Sequence, residues 1–306
     1  MHISLASSSL VSLPVLEAIL GSEHTLASII TNPDKSTGRG QKVVPNELAA
    51  WAEEKNLPVA KPGDTSELNR HLLEVQPQIV ITVAYGRIIP VELLHGPRFG
   101  WINLHFSLLP AYRGAAPVQW ALLNGDSRTG FSIFKLDKGM DTGPIYVQED
   151  MDISPDDTTT TLLHKLGVSG SLAILELLKV IGKTKAVPQP TSGISLAPKI
   201  SKEMGRISWK DSAEKILRTA RALADRPGIY TQFRGEKIAL HGLSESLTPN
   251  NLQSIGEIAA DQQGLLVRCL DSILLISEVT PSGKKRMSAV DFLRGARLEI
   301  AEAFSE

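Results

Sequence analysis

The sequence predicts an α/β protein: a doubly wound, mostly parallel, Rossmann-like sheet followed by a smaller β domain. Three observations carry this prediction. As far as residue 180, apolar β-branched runs alternate with amphipathic segments, the order expected of strand–helix–strand units. Between 182 and 205, Pro, Gly, Ser and Lys accumulate and hydrophobic periodicity fades, which is the composition of a linker. Beyond 205, short alternating strands follow one another with turn signals between them, as in a small β-barrel or sandwich. The predicted division is therefore 1–181, a linker over 182–205, and 206–306.

The elements follow in order. "HISLAS" reads as a first strand, and "LPVLEAILGS" as a helix with Pro14 near its start and Gly21 near its end. "TLASIITN" is a second strand, "PDKSTGRGQKV" a loop, and 45–55 a helix in which Leu48, Trp51 and Ala52 share a face. "QIVITVAYG" is nearly continuous in its apolar character, as a strand buried on both faces should be. "GWINLHFS" and "TGFSIFKL" are two more strands, with a helix over "APVQWALLNG" between them. After "SPDDTT" a long helix carries Leu162, Leu166, Leu172, Leu175 and Leu178 to residue 180. Past the linker come a short helix, "SAEKILRTARAL", and the strands "GIYTQF", "EKIALHGL", "GEIAADQQGLLVRCL" and "SILLISEV".

Composition excludes several classes of function. At 42% apolar and 21% charged residues, the chain of 306 is globular rather than disordered. No uninterrupted apolar run approaches the roughly 18 residues of a membrane span. The N-terminus lacks the basic region of a signal peptide, so a cytoplasmic location and no membrane partner are expected. Cys269 is the single cysteine, which excludes an internal disulfide and any thiolate-cluster metal site. The net charge of -1 favours neither acidic nor basic partners. Between 181 and 240, however, 12 Lys/Arg stand against 5 Asp/Glu, a local excess that suits either a solvated surface or a face meeting a polyanion.

Candidate chemistry concentrates at predicted strand ends, where open α/β sheets bind ligands. In "WINLHFSLLPAYRGAAP", Asn103, His105 and Ser107 alternate with Ile102, Leu104 and Phe106, so the three polar groups are predicted to share one face of a strand. "AYGRIIP" closes the strand before it. "LDKGMDTGPI" presents Asp141 between Gly139 and Gly143, in a loop able to turn sharply and expose a carboxylate. Taken singly, His105 reads as a satisfied core histidine and Asp141 as a turn residue. A convergent Asn, His and Asp can instead polarise a carbonyl, stabilise an oxyanion and move a proton. Other chemistries lack their motifs. "ASSSL" after the first strand is not a dinucleotide fingerprint, "STGRGQK" lacks phosphate-loop spacing, and no serine-hydrolase elbow or H-E-x-x-H pair occurs. No metal is expected.

"NLHFSLLPAYRGAAPVQWALLNGD" followed by "KLDKGMDTGPI" resembles the 10-formyltetrahydrofolate-dependent formyltransferases, which carry an Asn-x-His-x-Ser-Leu-Leu-Pro strand and a downstream Asp. "TNPDKSTGRGQK", "VVPNELAAWAEEKNLPV", "APKISKEMGRISW" and "GKKRMSAVDFLRGAR" extend the resemblance across nearly the whole chain. They narrow it to members whose acceptor is the α-amine of methionine on initiator tRNA. The resemblance implies a formyltransferase domain followed by a small, OB-like C-terminal β-barrel that contacts tRNA. It implies 10-formyltetrahydrofolate as formyl donor, initiator methionyl-tRNA as partner, and a monomeric enzyme. Asn103, His105 and Asp141 would be catalytic. Ser107, Leu108, Leu109 and Pro110 would contact folate, with Tyr85, Gly86 and Ile88 lining the pterin pocket. Lys35, Arg39 and Lys42 would meet the tRNA acceptor arm. Two departures from the family pattern stand out: "SSS" at 7–9, where a Gly-Thr-Pro-like turn is common, and Ala-Asp-Arg-Pro-Gly at 224–228, where an aromatic-rich turn is usual.

The implied chemistry is direct acyl transfer. Attack by an amine builds negative charge on the formyl oxygen. Asn103 and a protonated His105 can donate to that oxygen, and Asp141 can orient His105. A water between Asp141 and the amine can relay the lost proton. Three rivals share parts of this reading: transfer to a small-molecule amine such as a sugar nucleotide, transfer to water, and a non-catalytic tRNA-binding protein.

Overall fold

The computed structural model describes residues 1–37, 41–247, 251–299 and 301–305. Contacts divide the chain into two compact units. One comprises Met1–Val118, Ser127–Ile153 and Thr161–Lys199; the other comprises Gln119–Asp126, Ser154–Thr160 and Ile200–Glu306.

The elements of the first unit begin with β1 (His2–Ala6), α1 (Leu13–Leu20), β2 (Thr25–Ile30), β3 (Lys35–Thr37), β4 (Lys42–Val44), α2 (Glu47–Glu54) and β5 (Val59–Ala60). They continue with α3 (Thr65–Val75), β6 (Ile79–Thr82), α4 (Val91–Leu94), β7 (Trp101–His105) and β8 (Arg113–Gly114). After α5 (Pro117–Asn124), most of which belongs to the other unit, come β9 (Arg128–Lys135), β10 (Ile145–Asp152), α6 (Thr159–Val180) and β11 (Leu196–Ala197). The main sheet has seven strands in the order β10-β9-β7-β6-β1-β2-β5. The pairs from β7 through β5 are parallel, while β9 and β10 run antiparallel at one edge. The chain thus winds outward from β1 through β2 to β5, then returns to the other side of β1 as β6 and β7. The predicted doubly wound, mostly parallel sheet is what the chain forms.

Local chemistry explains where the helices start. Asn46 Oδ1 accepts from the Ala49 N–H at 3.0 Å to cap α2. Asp64 Oδ1 accepts from the Glu67 N–H at 2.9 Å to cap α3, and the Glu67 carboxylate accepts from the N–H of Gly63, the residue before the cap, at 2.7 Å. The "SSS" departure is absorbed in the same way. Ser9 caps the short turn into α1, and Ser8 Oγ accepts from the Asn32 N–H at 3.2 Å, bracing the end of β2.

Several elements differ from expectation. "PDKSTGRGQKV" is not simply a loop, because β3 and β4 pair as an antiparallel hairpin. The buried strand before "AYG" stops at Thr82, since Ala84 (φ +48) and Gly86 (φ +71) adopt left-handed conformations that leave the sheet. The stretch from 182 to 199 packs within the first unit: Val187 bridges Ile145, and β11 pairs in parallel with β8. Its Pro- and Gly-rich composition records a lack of periodicity, not a lack of contacts. Among the described residues, α6 is the one helix long and apolar enough to cross a membrane, a property that its interrupting His164, Lys165 and Glu176 obscure in the sequence. Its Leu162, Leu166 and Ile174 are fully buried, and a Cβ added at Gly170 would lie 2.6 Å from Leu104 of β7. A helix seated this closely supports the back of β7.

One buried polar chain has a measurable consequence. Ser4 Oγ and Ser28 Oγ lie 2.9 Å apart, and Ser28 Oγ is 2.9 Å from His71 Nε2. Burial lowers the His71 pKa from its ordinary 6.5, against a smaller raising effect of Glu74. A folded state that resists protonation loses stability as pH falls below 6.5 toward the lowered folded value, because the unfolded chain binds the proton more readily. We expect Tm to fall over that window and His71→Gln to flatten the fall. A Tm–pH curve unchanged by the substitution would contradict this.

The second unit contains α7 (Ala213–Ala222), β12 (Ile229–Phe233), β13 (Glu236–Glu245), β14 (Ile258–Ala260), β15 (Leu265–Arg268), β16 (Ile273–Pro281), β17 (Met287–Ser288) and α8 (Ala289–Ala296). Its antiparallel sheet runs β12-β13-β16-β15-β14, with β17 against β16. The C-terminal segment joins the two edges: Ser305 bridges Gln232 of β12, and Ala303 bridges Glu257 beside β14. This is the small antiparallel barrel anticipated from the short strands.

Candidate active site

The carboxyl end of β6 lies beside β7, and their register sets Thr82 opposite Asn103. Above them is a cavity of about 440 Å³, within the size range of small-molecule sites (about 300–1,000 Å³). It is lined by Thr82, the loop 84–89, residues 103–106, Gly114, Ala115, Pro117, Leu136, Met140 and Asp141. Asn103, His105 and Asp141, predicted from separate motifs, therefore meet at one cavity.

The neighbours of each group define what it can do. Asn103 Oδ1 accepts from Thr82 Oγ1 at 2.7 Å. Among the described residues no hydrogen bond uses the Asn103 Nδ2 protons, so the amide's donor side is available beside the cavity. His105 is 6% exposed and packs edge-on against Phe134. Its Nε2 lies 2.9 Å from the Tyr112 carbonyl oxygen, which can only accept, so Nε2 carries a proton. Its Nδ1 lies 3.7 Å from Asp141 Oδ2. Both ring nitrogens thus face acceptors. This differs from the simple expectation that His105 points at an oxyanion, since a donor aimed there must first share or leave the Tyr112 carbonyl.

The Asp141 loop is built by its neighbours. Asp137 Oδ1 accepts from the Gly139 N–H at 2.9 Å and from Thr142 Oγ1 at 2.7 Å, closing the turn. Asp141 itself adopts φ +54, a left-handed conformation uncommon outside glycine. At Gly143 an added Cβ would lie 1.7 Å from the Lys135 carbonyl oxygen, so only glycine allows the return beside β9. The carboxylate Oδ2 accepts from the Gly114 N–H at 2.8 Å.

The other predicted residues distribute differently. Ser107, Leu108, Leu109 and Pro110 do not line the cavity. β7 ends at His105, so the alternation that would put Ser107 beside His105 has already stopped. The Ser107 hydroxyl donates to the Ala111 carbonyl at 2.7 Å, and Ser132 and Gln148 hold Leu109 through its N–H and carbonyl. The segment is a braced turn beneath the site. Tyr85 lines the cavity with the rest of its loop, and at 4% exposed it also packs with Ile89, Leu93 and Trp101 of the core. Burial raises its phenol pKa, opposed by nearby Arg87. Gly86 and Ile88 line the cavity beside Tyr85, and Ile88, 91% exposed, forms its rim with Met140, 60% exposed. Lys35 and Lys42 are exposed on the β3–β4 hairpin. Lys35 pairs with Val44, two residues from Lys42, so both lysines share one face. Arg39 lies outside the described residues. Among those described, no three His, Cys, Asp or Glu side chains cluster as metal ligands would.

Sequence reasoning missed Thr82, Tyr112, Gly114 and Gln189. The first three act through a hydroxyl, a carbonyl and an N–H respectively, and none belongs to a motif by itself.

Residues 3–178 match the family model "Formyl transferase" and residues 199–297 match "Formyl transferase, C-terminal domain". The methionyl-tRNA formyltransferase of Salinispora tropica is 38% identical over 310 residues, covering all of both chains. That of Thermobifida fusca is 39% identical over 311 residues, again covering all of both. HypX from Aquifex aeolicus, solved in complex with tetrahydrofolic acid, superposes with a TM-score of 0.68 at 16% identity over 96% of this chain and 47% of its own.

Proposed function

We infer the activity from one premise, that this chain belongs to the methionyl-tRNA formyltransferase family: it transfers the formyl group of 10-formyltetrahydrofolate to the α-amine of methionyl-initiator tRNA. The observation that carries the reading is the meeting of an oriented Asn103 amide and an Asp141-facing His105 at one cavity.

The cavity suits a flat heteroaromatic group. Ile88 and Met140 provide apolar rims, and the backbone of 84–89, opened by Gly86, lines one wall. The bound folate supplies an electrophilic formyl carbon. Asn103 Nδ2 donates to the oxygen on which negative charge develops, where a fixed donor stabilises the transition state more than the ground state. His105 adds charge-assisted donation by sharing its Nε2 proton between the Tyr112 carbonyl and that oxygen. Asp141, whose Oδ2 lies 3.7 Å from Nδ1, faces the ring and, through water, accepts the proton lost from the attacking amine. The bond from the amine nitrogen to the formyl carbon forms as the bond from that carbon to N10 breaks. N10 takes up a proton, tetrahydrofolate leaves, and no side chain bonds covalently to the formyl group.

For the acceptor, the Lys35 and Lys42 face of the β3–β4 hairpin, together with Arg39 from the sequence between them, would follow acceptor-arm phosphates. The unit that ends at Lys199, including the stretch expected to be a linker, acts as the catalytic domain, and residues 200–306 act as a second tRNA-contacting domain. The enzyme works as a cytoplasmic monomer without metal or membrane. The deciding experiment offers 10-formyltetrahydrofolate with charged initiator tRNA, with a panel of small amines including sugar nucleotides, and with no acceptor. Formyl-methionyl-tRNA should dominate. Preferential labelling of a small amine, or formate release at full turnover without acceptor, refutes the assignment.

A further inference from the structure

We propose that Gln189, in the irregular segment after α6, is a positioning residue that holds Asp141 in its working conformation. This rests on the catalytic reading of Asp141. The side-chain amide is fully used. Nε2 donates to the carbonyl oxygens of Asp141 and Gly143, both at 2.8 Å. Oε1 accepts from Arg113 Nε at 3.2 Å and Arg113 Nη2 at 2.6 Å. An amide has two donors and two acceptor lone pairs, and Gln189 places all four.

The two sides of that amide tie together the parts that fix the Asp141 carboxylate. Arg113 precedes Gly114, whose N–H donates to Asp141 Oδ2 at 2.8 Å. Asp141 and Gly143 bracket the turn in which Asp141 takes φ +54. A non-glycine residue persists there when its surroundings over-determine it, and two hydrogen bonds to the carbonyls on either side of Thr142 supply such a constraint. Gln189 is itself held by the chain around it. Val187 bridges Ile145, and Ser195 Oγ accepts from the Tyr112 N–H at 2.8 Å, beside the carbonyl that receives His105 Nε2. The segment therefore braces both groups that flank the His105 ring.

Two substitutions separate this role from a merely structural one. Gln189→Leu removes all four bonds. Gln189→Glu keeps both acceptors for Arg113 and replaces the two donors by a carboxylate oxygen facing two carbonyl oxygens, so it loosens the Asp141 turn alone. Both variants should lose about 10- to 100-fold in kcat, the scale of a small misplacement of a reacting group, with KM for 10-formyltetrahydrofolate changed less than about 2-fold. In an Asp141→Asn background, Gln189→Leu should cause little further loss, because residues acting as a unit are not additive. A wild-type kcat for Gln189→Glu, or full additivity with Asp141→Asn, overturns the proposal. A wild-type kcat for Asp141→Asn alone instead overturns the catalytic reading beneath it, so the two failures are distinguishable. Donor affinity, measured by direct titration of each variant, reports whether the cavity remains folded.

Discussion

Replacing Asn103 by Ala should lower kcat about 100- to 1,000-fold while leaving the affinity for the folate donor nearly unchanged, the scale seen on removing one oxyanion donor. The expectation comes from the geometry of the amide. Thr82 Oγ1 occupies Asn103 Oδ1 at 2.7 Å, so the orientation of the amide is set before any substrate binds and its Nδ2 protons remain for the reaction. A donor fixed in this way needs no reorganisation when charge develops, which is why it contributes to kcat and not to binding. Thr82→Val offers a graded control. It removes the orienting hydrogen bond, worth about 0.5–1.5 kcal/mol, and should cost roughly 2- to 10-fold in kcat. Single-turnover transfer, with donor affinity measured separately, distinguishes the two effects. If Asn103→Ala raises donor Kd in proportion to its loss of rate, Asn103 binds substrate uniformly and is not the oxyanion donor.

The site and the fold were not equally readable from sequence. β6 announces itself because a strand buried on both faces must be apolar along its length, and β7 because its polar residues fall at alternate positions. The catalytic trio was readable because two of its members sit on one strand, two residues apart, and the third stands between two glycines. What sequence could not supply is the partner of each side chain. Thr82 meets Asn103 only through parallel register, 21 residues apart, and Gln189 meets Asp141 across 48. Ser107 shows the opposite error. Alternation assigned it to the catalytic face, but alternation holds only while the strand lasts, and β7 ends two residues earlier. The hairpin of β3 and β4 was missed for a related reason: its strands are three residues each, too short for a period to appear.

Phe304→Ala should destabilise the C-terminal unit by about 3–5 kcal/mol, the usual cost of emptying a buried aromatic site. Phe304 is 5% exposed, although it lies close to the end of the chain. Its ring stacks on Trp209 with centroids 5.6 Å apart and meets Phe233 edge-on at 6.0 Å. The backbone around it closes the barrel. The Phe304 N–H donates to the Gly256 carbonyl at 2.9 Å, and Gln232 and Ser305 exchange bonds at 3.0 and 3.3 Å. Arg234 grips Glu302 through two nitrogens, at 2.5 and 2.9 Å, fixing the segment from its other side. An open sheet would leave β12 and the β14 edge with unpaired backbone groups, so the ring and the ladder should fail together. Urea unfolding followed by Trp209 fluorescence measures the loss, and hydrogen exchange at Gln232 measures the opening. Exchange should rise there while the β15–β16 ladder, which among the described residues takes no backbone hydrogen bond from the segment, stays protected. Phe304→Leu, which refills most of the volume, should recover much of the stability. Equal midpoints for Phe304→Ala and the parent, or unchanged protection at Gln232, would mean that the barrel stays closed without its terminal aromatic.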